Sequence, residues 1–190
     1  MQLIDRTSQT ASTLKTKNGR NIFSRGNSSA RRSAGQINSI MIHQTGFVSS
    51  SLERFDSVIA NYIVMQNGVV LKVRNHEDKL NSIGTNQRAI DIEFVGNYPS
   101  TRQIRRSRRR GIELPMPPMA QIRAGRELVS HLRRHSGLSI THILAHAQFT
   151  AKNCCGPQLW AGITELQNLS SARGNRSVIR EWKELFPSYL

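Results

Sequence analysis

Cysteine is nearly absent from this chain of 190 residues, and the two that occur, Cys154 and Cys155, are adjacent. Neighbouring cysteines bridge one another poorly, because disulfide geometry wants Cα atoms about 4.4–6.8 Å apart. No disulfide framework is expected, and a thiolate with a metal or catalytic role comes forward instead. Acidic residues are also scarce: 12 Asp+Glu face 27 Lys+Arg, for a formal net charge of +15. Such a balance favours a polyanionic partner, whether nucleic acid, an acidic membrane surface or an anionic polymer. Long apolar runs are missing, so no membrane span is expected. The opening Met1-Gln2-Leu3-Ile4-Asp5 lacks the apolar stretch of a secretory signal, which leads to the expectation of cytoplasmic synthesis without a signal peptide.

Large apolar side chains are thin over residues 1–36, which carry Ser, Thr, Asn, Gly and Arg with a single acid, Asp5. A segment of that kind buries too little surface to offset its ordering entropy, and it is expected to be a flexible basic arm. From Ile37 the pattern changes. Ile40-Met41-Ile42, flanked by polar residues and ending at His43, reads as a buried strand. Ser49-Ser50-Ser51 can cap a short helix over residues 52–60 with Leu52, Phe55 and Ile59 on one face. Tyr62–Met65 and Val69–Val73, joined by Gln66-Asn67-Gly68, read as a hairpin. Ala89–Val95 reads as a strand with Ile90, Ile92 and Phe94 on one side and Asp91, Glu93 and Val95 on the other.

Residues 99–118, with arginine at 102, 105, 106, 108, 109 and 110 and three prolines after them, are expected to form a loop. A helix is expected from Met119 to Arg134 on the stripe Met119, Ile122, Val129 and Leu132. A strand over Ser139–Leu144 follows, then a helix opened by Gly156-Pro157 and a further one near 177–186. This order implies an α/β domain, a single mixed β-sheet flanked by helices. The expected boundaries are a basic arm over 1–36, a core domain over 37–170 and a helical extension over 171–190.

Polar residues sit at the expected strand ends, where functional groups gather in open α/β sheets. His43 ends the first strand, Glu93 lies on the strand after the hairpin, and His146 is followed by Lys152 and Cys154 in a His-x5-Lys-x-Cys spacing. Two imidazoles and one thiolate make a three-ligand zinc site of the catalytic type, with a fourth position open to water.

Five segments together resemble the zinc N-acetylmuramoyl-L-alanine amidases, the group that includes phage amidase-type lysozymes and peptidoglycan recognition proteins. They are Ser39–Thr45, with its His-x-Thr ending; Ala60–Val64 through Val70; Gly84–Glu93; the helix from Met119 to Leu132; and Ile143–His146 with Lys152–Pro157. The resemblance covers about residues 37–168. It implies that His43, His146 and Cys154 hold zinc, the cysteine standing eight residues after the second histidine as in the phage branch. Cys155, at the usual proline position, and His142 are rival ligands. Glu93 would be the general base and Lys152 would steady the developing oxyanion. The implied reaction is hydrolysis of the amide between N-acetylmuramic acid and L-alanine. The implied partner is peptidoglycan or its muropeptides, met by a monomer after delivery through lysis, a phage or a secretion machine.

Three positions depart from the family pattern: Ala60 stands where the phage lysozymes keep a tyrosine, Asn61 where the hairpin histidine is usual, and Asn81-Ser82-Ile83 where His-Ala-Gly is usual. Two other readings compete. One is a peptidoglycan receptor that binds without cutting. The other is a nucleic-acid binder using the arm and Arg102–Arg110, although no aromatic residue interleaves that run to stack on bases. An anionic polymer is the expected contact of both basic segments, with wall teichoic acid, anionic lipid or a packaged nucleic acid open for Arg102–Arg110.

Overall fold

A computed structural model describes residues 1–23, 31–82, 88–134, 136–149 and 154–164. Its centre is a six-stranded sheet in the order β1-β4-β3-β5-β2-β6, formed by Gln2–Asp5 (β1), Ser39–Gln44 (β2), Tyr62–Val64 (β3), Val69–Lys72 (β4), Ala89–Phe94 (β5) and His142–Ala145 (β6). β2 pairs in parallel with both β5 and β6, and β3 pairs in parallel with β5. Only the hairpin β3–β4 is antiparallel, so the sheet is mixed, as expected. Parallel pairing of β2, β5 and β6 brings their C-terminal ends to one edge.

Alternation along the strands divides the sheet into two faces. Ile40, Ile42, Ile90, Ile92 and Phe94 join one large apolar cluster with two helices, Met119–Arg134 (α3) and Pro157–Thr164 (α4). α3 supplies Ile122, Leu128, Val129 and Leu132, and α4 supplies Leu159, Trp160 and Ile163. Gly125 leaves room for this packing: a Cβ there would lie 2.5 Å from the Phe94 ring and 2.6 Å from Ile163. The opposite face holds smaller clusters, one of Phe55, Ala60, Ile63, Leu71, Val73 and Val95 and one of Met41, Ala89 and Leu144.

Residues 1–23 are no free arm. β1 adds to the sheet edge beside β4 in register Gln2↔Val69 to Asp5↔Lys72. Backbone pairing of an edge strand needs few large side chains, which is why a polar composition hid it. Arg6 makes a two-pronged ion pair with Asp56 at 3.0 and 2.8 Å, and the short helix Thr7–Thr10 (α1) buries Thr10 against the Val73 carbonyl. Ile22 and Phe23 are buried with Leu80 and Ile59 in a separate cluster. Arg32, on the far side of the undescribed 24–30, is also buried, with its Nε donating to the His76 carbonyl.

Other boundaries shift as well. The helix expected over 52–60 shrinks to a 3-10 turn, Glu53–Phe55, which buries Phe55. The loop expected over 99–118 contains a helix, Thr101–Arg108 (α2). Ser100 and Gln103 form a capping box at its start, and Ile104 is its one buried side chain. Arg105, Arg106 and Arg108 lie in its last turn, where cations suit the helix dipole. β6 begins at His142 rather than Ser139. The hairpin, β5 and α3 lie where expected. The expected 177–186 helix and the 171–190 extension lie outside the described residues.

Candidate active site

The C-terminal edge of β2, β5 and β6 gathers the polar side chains. His43 is opposite Glu93 in the β2–β5 register, and His146 opens a 3-10 turn directly after β6. His43, His146 and Cys154 bring their ligand atoms within 4.8 Å of one another. The two histidines face each other through Nδ1 atoms 3.0 Å apart, their rings edge to face. Two ligands at zinc distances of about 2.0–2.3 Å in a tetrahedron stand roughly 3.3–3.8 Å apart. A small adjustment therefore suits the cluster to a metal, and two imidazoles with a thiolate are a donor set that favours zinc.

The surroundings orient these atoms. The other nitrogen of His43, Nε2, lies 2.8 Å from Asp91 Oδ1. The carboxylate accepts there, so Nε2 carries a proton, and Nδ1 is the nitrogen that would offer its lone pair to a metal at the cluster. Asp91 also accepts from Ser82 Oγ at 2.9 Å. Burial alone would lower the His43 pKa, but hydrogen bonds to Asp91 and Cys154 and the charge of Glu93 outweigh it. The ring is held well above the ordinary histidine value. The Gln44 amide donates to Cys154 Sγ at 3.1 Å. The Gln44 side chain donates to the Tyr98 carbonyl and accepts from the Gly156 amide, tying the β5–α2 loop to the cysteine segment.

Glu93 stands beside this cluster with Oε2 enclosed and without a hydrogen-bond partner. Burial pushes its carboxyl up to about 7, although the His43 charge pulls the other way. His43, Glu93 and His146 open into a cavity of about 300 Å³ that Arg20, Asn81 and Ser82 also line. The rival ligands point elsewhere. Cys155 is buried in the main apolar cluster, and burial pushes its thiol well up. His142 lies beside Ser39 at the far end of β6 and pairs with Thr141 Oγ1 at 2.7 Å. Lys152 lies outside the described residues.

Two of the three departures have structural reasons. Ala60 is fully buried among apolar residues. Asn61 is buried and bridges the Asp91 amide and the Asn75 carbonyl. Tyr62 turns to the other face and meets His76 Nε2 at 2.5 Å. Asp91 and Arg20 were missed by sequence reading. Asp91 was detectable from its place on the Glu93 side of β5, whereas no periodicity marks Arg20.

A family model described as N-acetylmuramoyl-L-alanine amidase matches residues 33–157. No curated protein matches the chain. Among solved structures it is similar to bumblebee PGRP-SA, with TM-score 0.60 and 16% identity over 88% of this chain and 96% of that one. It is also similar to the Ph2119 endolysin of a Thermus scotoductus bacteriophage, with TM-score 0.58 and 16% identity over 86% and 97%. The endolysin amidase LysCS from Clostridium intestinale aligns with TM-score 0.54 and 17% identity over 69% and 82%.

Proposed function

Because the chain belongs to the N-acetylmuramoyl-L-alanine amidase family, we propose that it hydrolyses the amide between N-acetylmuramic acid and L-alanine in peptidoglycan with a zinc ion held by His43, His146 and Cys154. The meeting of these three ligand atoms at the edge of the sheet, next to an enclosed carboxylate, carries the reading. Zinc, when bound, supplies a Lewis acid for the scissile carbonyl and makes water acidic near neutral pH. The protein residues do the rest. Asp91 fixes the ring and tautomer of His43, and the Gln44 amide steadies the thiolate. Glu93 takes a proton from the attacking water and passes it to the leaving amine. Enclosure keeps its carboxylate basic enough for that task. Lys152 keeps the role expected from sequence, steadying the oxyanion.

The basic residues of α2 support a second contact. Arg102, Arg105, Arg106 and Arg108 are exposed on a helix that follows β5 directly, and an anionic wall polymer suits such a surface. The chain acts on the wall once lysis, a phage or a secretion machine delivers it; no helix among the described residues is long and apolar enough to cross a membrane.

The deciding experiment is mass spectrometry of muropeptides incubated with the zinc-loaded chain. Release of the free stem peptide and the lactyl sugar, abolished by chelation and restored by zinc, is expected. Binding without release would establish the receptor reading.

A further inference from the structure

Residues 15–21 form a tight finger that none of the chemistry above uses. Lys15 and Asn21 bridge across it, and Thr16 accepts from the Gly19 amide through its carbonyl and from the Arg20 amide through Oγ1. Gly19 turns the chain at φ 76°, a conformation that side chains rarely adopt. Ile22 and Phe23 bolt the finger down against Leu80 and Ile59. The Arg20 guanidinium donates to the Asn81 carbonyl at 2.5 Å, and the Asn81 side chain returns a bond to the Asn21 carbonyl at 3.1 Å. Thr16, Asn18 and Arg20 thereby line the same cavity as His43, His146 and Glu93.

We propose that Arg20 is a carboxylate subsite: it binds the free carboxylate of the acidic residue that follows L-alanine in the peptidoglycan stem. The proposal rests on the peptidoglycan reading above. Arg20 is the only permanent cation among the described residues lining the cavity. A guanidinium has five N–H donors, and the bond to Asn81 leaves others for a planar, two-pronged grip on a carboxylate. Reach selects the residue. A space of about 300 Å³ is roughly 7 Å across, and an extended chain covers about 3.3–3.6 Å per residue. With the scissile amide at the cluster, a group elsewhere in the lining lies within about two residues down the stem. Asp91 and Glu93 on the sheet side disfavour a further anion there, so Arg20 is where the charge fits.

The test compares two ligands that differ by one charge, N-acetylmuramoyl-L-alanyl-D-glutamate and N-acetylmuramoyl-L-alanyl-D-isoglutamine, whose α-carboxyl is amidated. Binding is measured by calorimetry on the full chain after chelation, so that turnover does not intervene. The glutamate ligand should bind roughly tenfold more tightly than the amide, as a partly exposed charge-assisted pair allows. Arg20→Gln should erase that preference while leaving affinity for the amide and the melting temperature nearly unchanged. Arg20→Lys should restore part of the preference, and the preference should shrink with salt. Equal binding of the two ligands by wild type would overturn the subsite and leave the peptidoglycan reading standing. Equal weakening of both by Arg20→Gln would also overturn it, by showing that Arg20 only pins the finger to Asn81. Failure of wild type to bind either ligand would overturn the peptidoglycan reading together with the subsite.

Discussion

The two faces of the sheet draw on the same strands and resolve opposite problems. On β5, Ile90, Ile92 and Phe94 disappear beneath α3 and α4, while Asp91 and Glu93 between them face the histidines. On β2, Ile40 and Ile42 share the apolar side, and Met41 and His43 share the other. The helix face is a continuous apolar layer whose burial stabilises the fold. The cavity face keeps polar groups out of water, which costs stability unless each finds a partner. Asp91 has its partners; Glu93 Oε2 has none. The contrast teaches that one face provides the rigidity on which the other can hold an uncomfortable carboxylate in place.

Substitutions on the cavity face should therefore remove chemistry without removing the fold, and the largest effects belong to the three ligand positions. His43→Ala, His146→Ala and Cys154→Ser should each abolish zinc uptake, read by metal analysis, and amide cleavage, while Cys155→Ser leaves the metal in place. Cys154→Ser with full metal would break the assignment. Next, Glu93→Gln should keep zinc and reduce turnover by about 10²–10⁴-fold. Its effect on stability has the opposite sign. Glu93 goes from about 4.5 in the unfolded chain to about 7 in the fold, so the native state binds more protons between those values. The metal-free protein should lose stability as pH rises from 4.5 to 7. Glu93→Gln should reduce that slope, leaving the part that His43 contributes above its ordinary value, and melt higher than wild type at pH 8; an unchanged pH profile would show that the carboxyl is not enclosed in solution.

The helix face should respond in the reverse manner. Trp160 is fully buried between the helices and the sheet, and Trp160→Ala should cost about 3–5 kcal/mol, lowering the melting temperature by roughly 10 °C. Smaller again is the effect of Asp91→Asn, which keeps the shape and removes the charge behind His43. It should weaken zinc binding by about 10–100-fold at nearly unchanged melting temperature. A collapse of the fold in Asp91→Asn would erase the distinction between the faces.

Much of this division is legible in the residues. Period-two alternation gives the strands and their apolar sides, and His43, His146 and Cys154 stand at segment ends, where a parallel sheet collects them. Asp91 is harder, because two carboxylates on one strand face do not announce which orients a ring and which stays unpaired. The register opposite Met41 and His43 decides it, and register is a tertiary property. The N-terminal finger is harder still: Ile22 and Phe23 are its only large apolar anchors, and polar flanks mask them. α2 escaped for a related reason. Six arginines and the prolines beyond them read as a loop, while the Ser100–Gln103 cap and one buried Ile104 suffice for two turns of helix.

The sheet order has a kinetic consequence. Among the described residues β6 is an edge strand, hydrogen-bonded to β2 alone, and edge strands open more readily than central ones. Yet His146 hangs from its end, 103 residues away in sequence from the histidine it faces. An ion shared by His43 and His146 would rivet this edge strand to its inner neighbour β2. Hydrogen exchange at the amides of Ile143, Leu144 and Ala145 would slow sharply on zinc binding, while β3 and β5, already paired on both sides, would hardly notice. Metal escape would then be timed by the fraying of one short strand.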